Sequence, residues 1–478
     1  MTTLCFGLDE SPPDELEVGD GTVLLLRGWT ATPAARDAHF VVELGELRWR
    51  LPHSKDVRWD IDRERAGGGV ASGFWLPIPI GPELAGRSYR LRLSLEMRGG
   101  DTHTLVDHQL ALVRRAPPID ERAAPLAICL TTYNPDLTLF RRQIDSLRAQ
   151  TVREWTCFVQ DDRSRPEVFA EIERVCGADP RFVVARNAVN LGFYRNFERC
   201  LRNVPASAKW VALCDQDDEW YPDKLARGLE RLTGDVQLVY SDMRLVDVER
   251  RPISDTYWAK RRNNYRSLAT LLVANTVTGA ASIFRRAVLD KALPFPAYVE
   301  SSFHDHWLAV VSMLLGGLDY IDAPLYDYTQ HGRNVIGHTA FDSVSTWKAL
   351  SDHAGKLLGL VVRPDRLKKL LTVVPLYYTE YRKLQLYRTV LELRFSSLPR
   401  AQKRVVDLFA DRLWNAPQLM IGTHLGVLLR GDTTNMVEFN LGVALALHKT
   451  LGPLVPSLIR ARDLWEQLVD ARQQGTDA

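Results

Sequence analysis

The chain is 478 residues long, 46% hydrophobic and 25% charged, with a formal net charge of +2. That length holds two or three domains of ordinary globular composition. A balanced charge argues neither for nor against nucleic acid, no dense basic tract appears and no nucleic-acid partner is expected; no uninterrupted apolar run reaches the roughly 18 residues a membrane-spanning helix needs.

The opening stretch MTTLCFGLDESPPDE is acidic and lacks an apolar core, so no signal peptide is expected. Six cysteines, Cys5, Cys129, Cys157, Cys176, Cys200 and Cys214, form no CxxC pair, and three of them lie within apolar runs. They are expected as reduced residues of a cytoplasmic protein, not as a disulfide framework or a zinc site. From about residue 20 the chain alternates as strands do, in Thr22–Trp29, His39–Leu51, Val57–Ile61, Gly73–Ile78, Tyr89–Met97 and Thr104–Val113. Glycine-rich turns separate these runs and no helical spacing intervenes, so residues 1–114 are expected to form an accessory β-sandwich. Its tryptophans Trp29, Trp49, Trp59 and Trp75 could hold sugar rings, but filling the sandwich core is the favoured expectation. Residues 115–124, charged and proline-rich, read as a linker.

Residues 125–342 alternate strands with helices. Buried strands are expected at Leu126–Thr131, Trp155–Gln160, Arg181–Ala185, Trp210–Cys214 and Val236–Tyr240. Helices are expected at Asp136–Gln150, Pro166–Cys176 and Asn196–Leu201. This order predicts an α/β domain with a parallel sheet covered on both faces. Three strands end in carboxylates: Asp161 and Asp162, then Asp215, Asp217 and Asp218, then Asp242. Ligands of open α/β sheets bind at such carboxyl ends. Crowded like charges call for a cation, and hard oxygens suit Mg2+ or Mn2+, which in turn hold substrate phosphates. A solvated acidic turn ahead of a helix is the bland alternative for the Asp215 cluster. Residues 343–478 read as a helical region, with basic amphipathic spacing in Lys356–Leu371 and Leu376–Phe395 and more apolar stretches at Met420–Leu429 and Val437–Leu447. Either a bundle packed on the preceding domain or a peripheral contact with the cytoplasmic face of the cell membrane accounts for that pattern.

Seven segments of the middle domain, in order, resemble glycosyltransferase family 2, which has the GT-A fold. They are Leu126–Pro135, Val159–Ser164, Asn190–Gly192 with Asn196, Asp215–Asp218, Thr278–Ala280, His304–Trp307 and Tyr328–Gly337. The last is similar to a closing loop of rhamnosyltransferase-like enzymes of bacterial surface polysaccharides. The resemblance implies an inverting, metal-dependent transferase. Its donor would be a uridine- or thymidine-diphospho sugar and its acceptor a glycan or a lipid-linked sugar. Asp305 would be the catalytic base. Asp217 and Asp218 would hold the metal. Thr132, Tyr133, Asp162, Asn190, Asn196, Asp215, Asp217, His331 and Arg333 would bind the nucleotide sugar, with Asp162 on the base and His331 and Arg333 on the pyrophosphate. Each role has a plainer counterpart: Asp305 as a helix cap, Asp162 as a cap, His331 and Arg333 in a solvated loop. A non-catalytic sugar-nucleotide or glycan-binding protein with the same fold is the alternative function. A nucleotidyltransferase would show a glycine-rich phosphate loop after the first strand, where this chain has Thr131–Pro135 without glycine. The processive members' QxxRW motif and spanning helices are missing from the sequence, so transfer of one or a few sugars is expected.

Overall fold

The computed structural model describes residues 5–451, apart from 32–37, 53–55, 58–71, 119–123, 259–262, 301, 332–363 and 431–436. Two antiparallel-rich sheets form the N-terminal part. One runs Phe6–Leu8, Thr22–Thr30, Ser72–Ile80, Asp56–Val57, and the other Glu15–Glu17, Thr102–Val113, Arg87–Glu96, His39–Leu44, Leu47–Pro52. The run expected as one strand, His39–Leu51, is a hairpin, because Gly45 turns the chain at φ +60°, a value L residues rarely adopt. Period-two alternation sends Leu24, Leu26, Phe74 and Leu76 into the core between the sheets, with Phe40 and Leu93 opposite. The same alternation corrects the expectation for the tryptophans. Trp29 and Trp75 stand on the opposite face of their strands, and only Trp49 packs against the sandwich core; Trp59 lies outside the described residues. On that outer face Val23, Leu25 and Trp75 join the larger core of the following domain.

The second core surrounds a nine-stranded sheet. Its path runs Phe182–Arg186, Trp155–Asp161, Leu126–Thr132, Trp210–Cys214, Ser282–Arg285, Val236–Val246, Gly317–Thr329, Glu219–Trp220, with Pro252–Ser254 beside Val236–Val246. The first four strands are mutually parallel, and Ser282–Arg285 is antiparallel to both its neighbours. Leu126–Thr132 is apolar for most of its length because helices cover both faces. Its register decides where chemistry collects. Thr132 pairs with Asp161 and Leu130 with Cys214, so Thr132, Asp162 and Asp215 emerge at one level. Asp136 fixes the helix Leu137–Arg148 behind this edge, accepting from the amides of Thr138 at 2.8 Å and Leu139 at 3.2 Å.

Asp242 does not join that edge. The strand begun at Val236 continues to Val246, leaving Asp242 inside it, where its carboxylate accepts from the amides of Met243 and Tyr257 and the hydroxyl of Thr256. The helix expected at Leu376–Phe395 is the end of one helix, Pro364–Arg394, and residues 356–363 lie outside the described ones. Its Tyr381, Leu384, Tyr387, Val390 and Leu391 are buried in the second core, with the Tyr387 ring 4.9 Å from that of Trp307. Arg394, also buried, donates to the carbonyls of Gly21, Lys291, Ala292 and Pro294 and so ties the N-terminal sheets, the middle domain and this helix together. All six cysteines are free and five are buried. Among the described residues no helix is long and apolar enough to cross a membrane.

Candidate active site

A cavity of about 1090 Å³ opens at the carboxyl ends of the parallel strands. The strand ends supply Thr132, Tyr133 and Asn134, then Asp162, then Asp215, Gln216 and Asp217. Asn190, Gly192 and Asn196 enter from the segment leading into helix Phe193–Arg202, Asp305 from helix His304–Leu315, and His331 from the chain after Gly317–Thr329. Nine of the sequence-derived site residues thus meet in one place. Arg333 lies outside the described residues, and Asp218 lies behind the wall.

On one side the wall is a polar network. Asp162 is 2% exposed, and its carboxylate accepts from Asn187 Nδ2, the Leu191 amide and the Gly192 amide, each at 2.8 Å. Asn190 Nδ2 donates to the Asp162 carbonyl at 3.0 Å. Three internal donors leave a carboxylate about one free acceptor direction of its four. Asp162 is therefore also the anchor of the 190–192 turn. Gly192 makes this turn at φ +77° and caps the helix start. Asn187 was missed by sequence reasoning, yet it also donates to Asn196 Oδ1 and accepts from Gln160 Nε2, both at 2.8 Å. Nothing in its spacing marked it, since its partners come from two other segments. Thr132 Oγ1 donates to Asp161 at 3.0 Å, and the Tyr133 amide donates to Gln216 Oε1 at 2.8 Å. Gln216, the middle residue of the acidic motif, thereby fixes a Tyr133 that is 53% exposed and offers a flat face to the cavity.

The acidic cluster divides in a way the sequence did not reveal. Asp215 and Asp217 line the cavity, while Asp218 is 1% exposed beneath them. Asp218 Oδ1 accepts from the Thr329 amide at 3.3 Å, and its buried Oδ2 has no hydrogen-bond partner. The expected metal pair, Asp217 and Asp218, is thus replaced at the cavity surface by Asp215 and Asp217. The reason is the pairing of Glu219–Trp220, immediately after the motif, with Gly317–Thr329, which draws Asp218 down with it. Burial raises Asp215 to about 7, with the charges of Asp217 and Asp305 adding to the effect. Burial and the same crowding hold Asp218 well above the usual carboxylate range. Lys224, also unmarked in the sequence, is buried behind them; its ammonium donates to the Ala280 carbonyl and lies 3.9 Å from the Trp220 ring and 4.1 Å from that of Tyr326. Burial lowers it to about 7, against the pull of Cys214, Asp218 and Asp215. His331 Nε2 is 2.8 Å from Asp217 Oδ2. These oxygens suit a hard divalent cation, and the repulsion among them is what such an ion would relieve. Among the described residues no three His, Cys, Asp or Glu side chains stand together as a ready-made cage. Mg2+ and Mn2+ take one or two carboxylates and complete their shell with phosphates and water.

Asp305 stands apart from this cluster in the same cavity. It is not the helix cap, a position held by Phe303. Its carboxylate accepts from Asn275 Nδ2 at 3.1 Å, the Gly279 amide at 3.1 Å and the His306 amide at 2.6 Å. A Cβ at Gly279 would meet His304 Nε2 at 2.7 Å, so only glycine brings this amide so close. Burial outweighs these bonds and raises Asp305 to about 6. Of the flanking histidines, His304 also lines the cavity while His306 does not. His304 stacks on Phe197 at 3.7 Å, His306 lies 3.0 Å from the Leu271 carbonyl, and burial lowers both to about 3, so they stay neutral.

Residues 127–293 match the sequence model described as Glycosyl transferase family 2. Among curated proteins, 147 residues are 27% identical to the uncharacterized protein y4gI of Sinorhizobium fredii, covering 30% of this chain and 16% of that one. A further 110 residues are 28% identical to the succinoglycan biosynthesis protein ExoW of Rhizobium meliloti, covering 23% of this chain and 34% of that one. The matches therefore span well under half of either relative. Among solved structures, TarS 1–349 of S. aureus with UDP-GlcNAc aligns at 14% identity and TM-score 0.37, over 68% of this chain and 91% of that chain. A mannosyltransferase of Pyrobaculum calidifontis with GDP-Man and Mn2+ aligns at 16% identity and TM-score 0.35, over 71% and 90%. The family match, with the strand order above, makes the middle domain a GT-A glycosyltransferase fold.

Proposed function

We propose that this chain, which carries a family 2 glycosyltransferase domain, moves a sugar from a uridine- or thymidine-diphospho sugar onto a glycan or lipid-linked acceptor, inverting the anomeric centre. The observation that carries the reading is one cavity holding two separated acidic functions: the Asp215–Asp217 pair with His331, and the singly placed Asp305. Inverting transfer needs both. The bond between the anomeric carbon and the diphosphate oxygen breaks as the bond to the acceptor oxygen forms, and the acceptor proton must leave. Asp305 takes that proton, with Asn275 and the Gly279 amide fixing the orientation of its carboxylate. Mg2+ or Mn2+, held by Asp217 with Asp215 beside it, would neutralise the departing diphosphate. His331 and Arg333 are the further candidates for the pyrophosphate oxygens. The likeness to ExoW supports a place in building a surface polysaccharide.

Two measurements test the details. A base that burial has raised to about 6 must be ionised to work, so kcat/KM should be flat above that pH and fall about tenfold per unit below it. A profile that rises toward lower pH would remove Asp305 from the role. The remaining acceptor direction of Asp162 is suited to the ring N–H of uracil or thymine, which cytosine lacks. Calorimetry should therefore show UDP and dTDP binding more tightly than CDP, and equal affinities for all three would reject the base assignment.

A further inference from the structure

Among the described side chains of helix Pro364–Arg394, the cations expected to meet a membrane are engaged within the protein. Arg394 holds four carbonyls, Lys383 pairs with Glu380 at 2.6 Å, Arg388 pairs with Glu392 at 2.8 Å, and Arg382 lies over the rings of Trp75 and Tyr378. The opposite arrangement follows it. The 3₁₀ turn Leu413–Asn415, the π-helical turn Gln418–Thr423 and helix His424–Arg430 bury Asn415, Ala416, Leu419, His424 and Val427. Their other face leaves Leu413 45%, Trp414 59%, Ile421 59% and Leu425 51% exposed. Of thirteen large apolar side chains exposed among the described residues, four fall within this one short segment, which is too dense for the scattering of single apolar residues normal on a surface. Trp414, Gln418, Ile421 and Leu425 are all exposed and alternate along the chain with the buried Asn415, Leu419, His424 and Val427, which sets this exposed stripe against a buried face.

Beside the stripe is an open groove of about 1050 Å³ whose wall includes Arg388, Lys403, Arg404, Arg412 and Trp414. Its carboxylates, Glu392 and Asp407, are shared with Arg388 and Lys403. Arg404 and Arg412 have no carboxylate partner among the described residues, and Arg412 lies 5.3 Å over the Trp414 ring. The nearby Asp411 is neutralised by Lys449 at 2.7 Å. We infer that the Leu413–Leu425 stripe and the Arg404–Arg412 groove form a monotopic docking face for an anionic lipid bilayer, with the apolar side chains in the acyl boundary and the arginines among headgroup phosphates. Charge decides the occupant: an apolar stripe alone would fit another protein, but unpaired arginines and an amphipathic tryptophan along one edge match the two layers of an anionic membrane surface. The inference does not depend on the transferase chemistry, although a lipid-linked acceptor would be reached from such a face.

The test is cosedimentation of the full chain with phosphatidylcholine vesicles, with and without phosphatidylglycerol, at low and high salt. The protein should pellet with the anionic vesicles at low salt and be released as salt rises. Trp414→Ser with Ile421→Ser should cut the bound fraction about tenfold or more. Arg404→Glu with Arg412→Glu should abolish the preference for anionic lipid. Both pairs are solvent-facing, so hydrolysis of a UDP-sugar and the melting temperature should stay at native values, which separates loss of docking from loss of fold or chemistry. Native protein that ignores anionic vesicles, or that binds them equally well after all four substitutions, would overturn the inference. So would a native dimer that the Trp414 and Ile421 substitutions convert to monomer without any vesicle binding, because the face would then belong to a second copy.

Discussion

Asp305→Asn should lower the transfer rate roughly 10²- to 10⁴-fold, the usual contribution of a general base, while nucleoside diphosphate affinity stays near native. The structure offers a competing role, because the carboxylate also latches Asn275 and Gly279 to the start of helix His304–Leu315. Asparagine separates the two. Its amide oxygen can keep accepting from one of those donors, so the latch is weakened by about one hydrogen bond, worth ~1 kcal/mol, and the melting temperature should move only slightly. Its proton affinity, by contrast, is lost completely. A large loss of rate with small loss of stability identifies the base. A near-normal rate in Asp305→Asn, or a product that retains the donor's anomeric configuration, would sink the assignment.

The parts of this architecture that were legible in the sequence share a cause. Leu126–Thr132 and Trp210–Cys214 are buried on both faces, so their apolar runs had to be central strands. Parallel register then carried Thr132, Asp162 and Asp215 to one edge without further information. Failures came wherever orientation depends on a remote partner. Whether Asp217 or Asp218 faces the cavity is set by the pairing of Glu219 with Asp327, 108 residues later. That Asp162 would be held by Asn187 and by the amides of Leu191 and Gly192 was equally invisible, since these partners lie in other segments. Asp242 looked like a strand end because an apolar run stopped there, but the backbone pairing with Gly317–Thr329 carries the strand past it. The outward Trp75 shows the same limit: alternation was visible, but not that this part of the sheet's second face would be covered by helix Pro364–Arg394 and the middle domain.

Asp217→Ala should abolish transfer and remove the dependence of donor binding on Mn2+, while the fold persists. The argument rests on which carboxylates reach the cavity. Asp217 does, and it already meets His331 there. Removing it leaves Asp215 alone, and one monodentate carboxylate is a poor site for an ion that must also neutralise a leaving diphosphate. Asp218 makes the sharper contrast. It is buried, accepts from the Thr329 amide and is pushed by burial and its neighbours toward the protonated form. Asp218→Asn keeps an acceptor for that amide and leaves the cavity surface unchanged, so it should retain far more activity than Asp217→Ala. Calorimetry of UDP binding with Mn2+ and with chelator, on both variants, reads the difference directly. The native protein should lose affinity on chelation, Asp218→Asn should follow it, and Asp217→Ala should show the chelated value under both conditions. The reverse pattern, with metal dependence lost in Asp218→Asn and kept in Asp217→Ala, would return the metal to the buried residue, and full native activity in excess chelator would exclude a metal altogether.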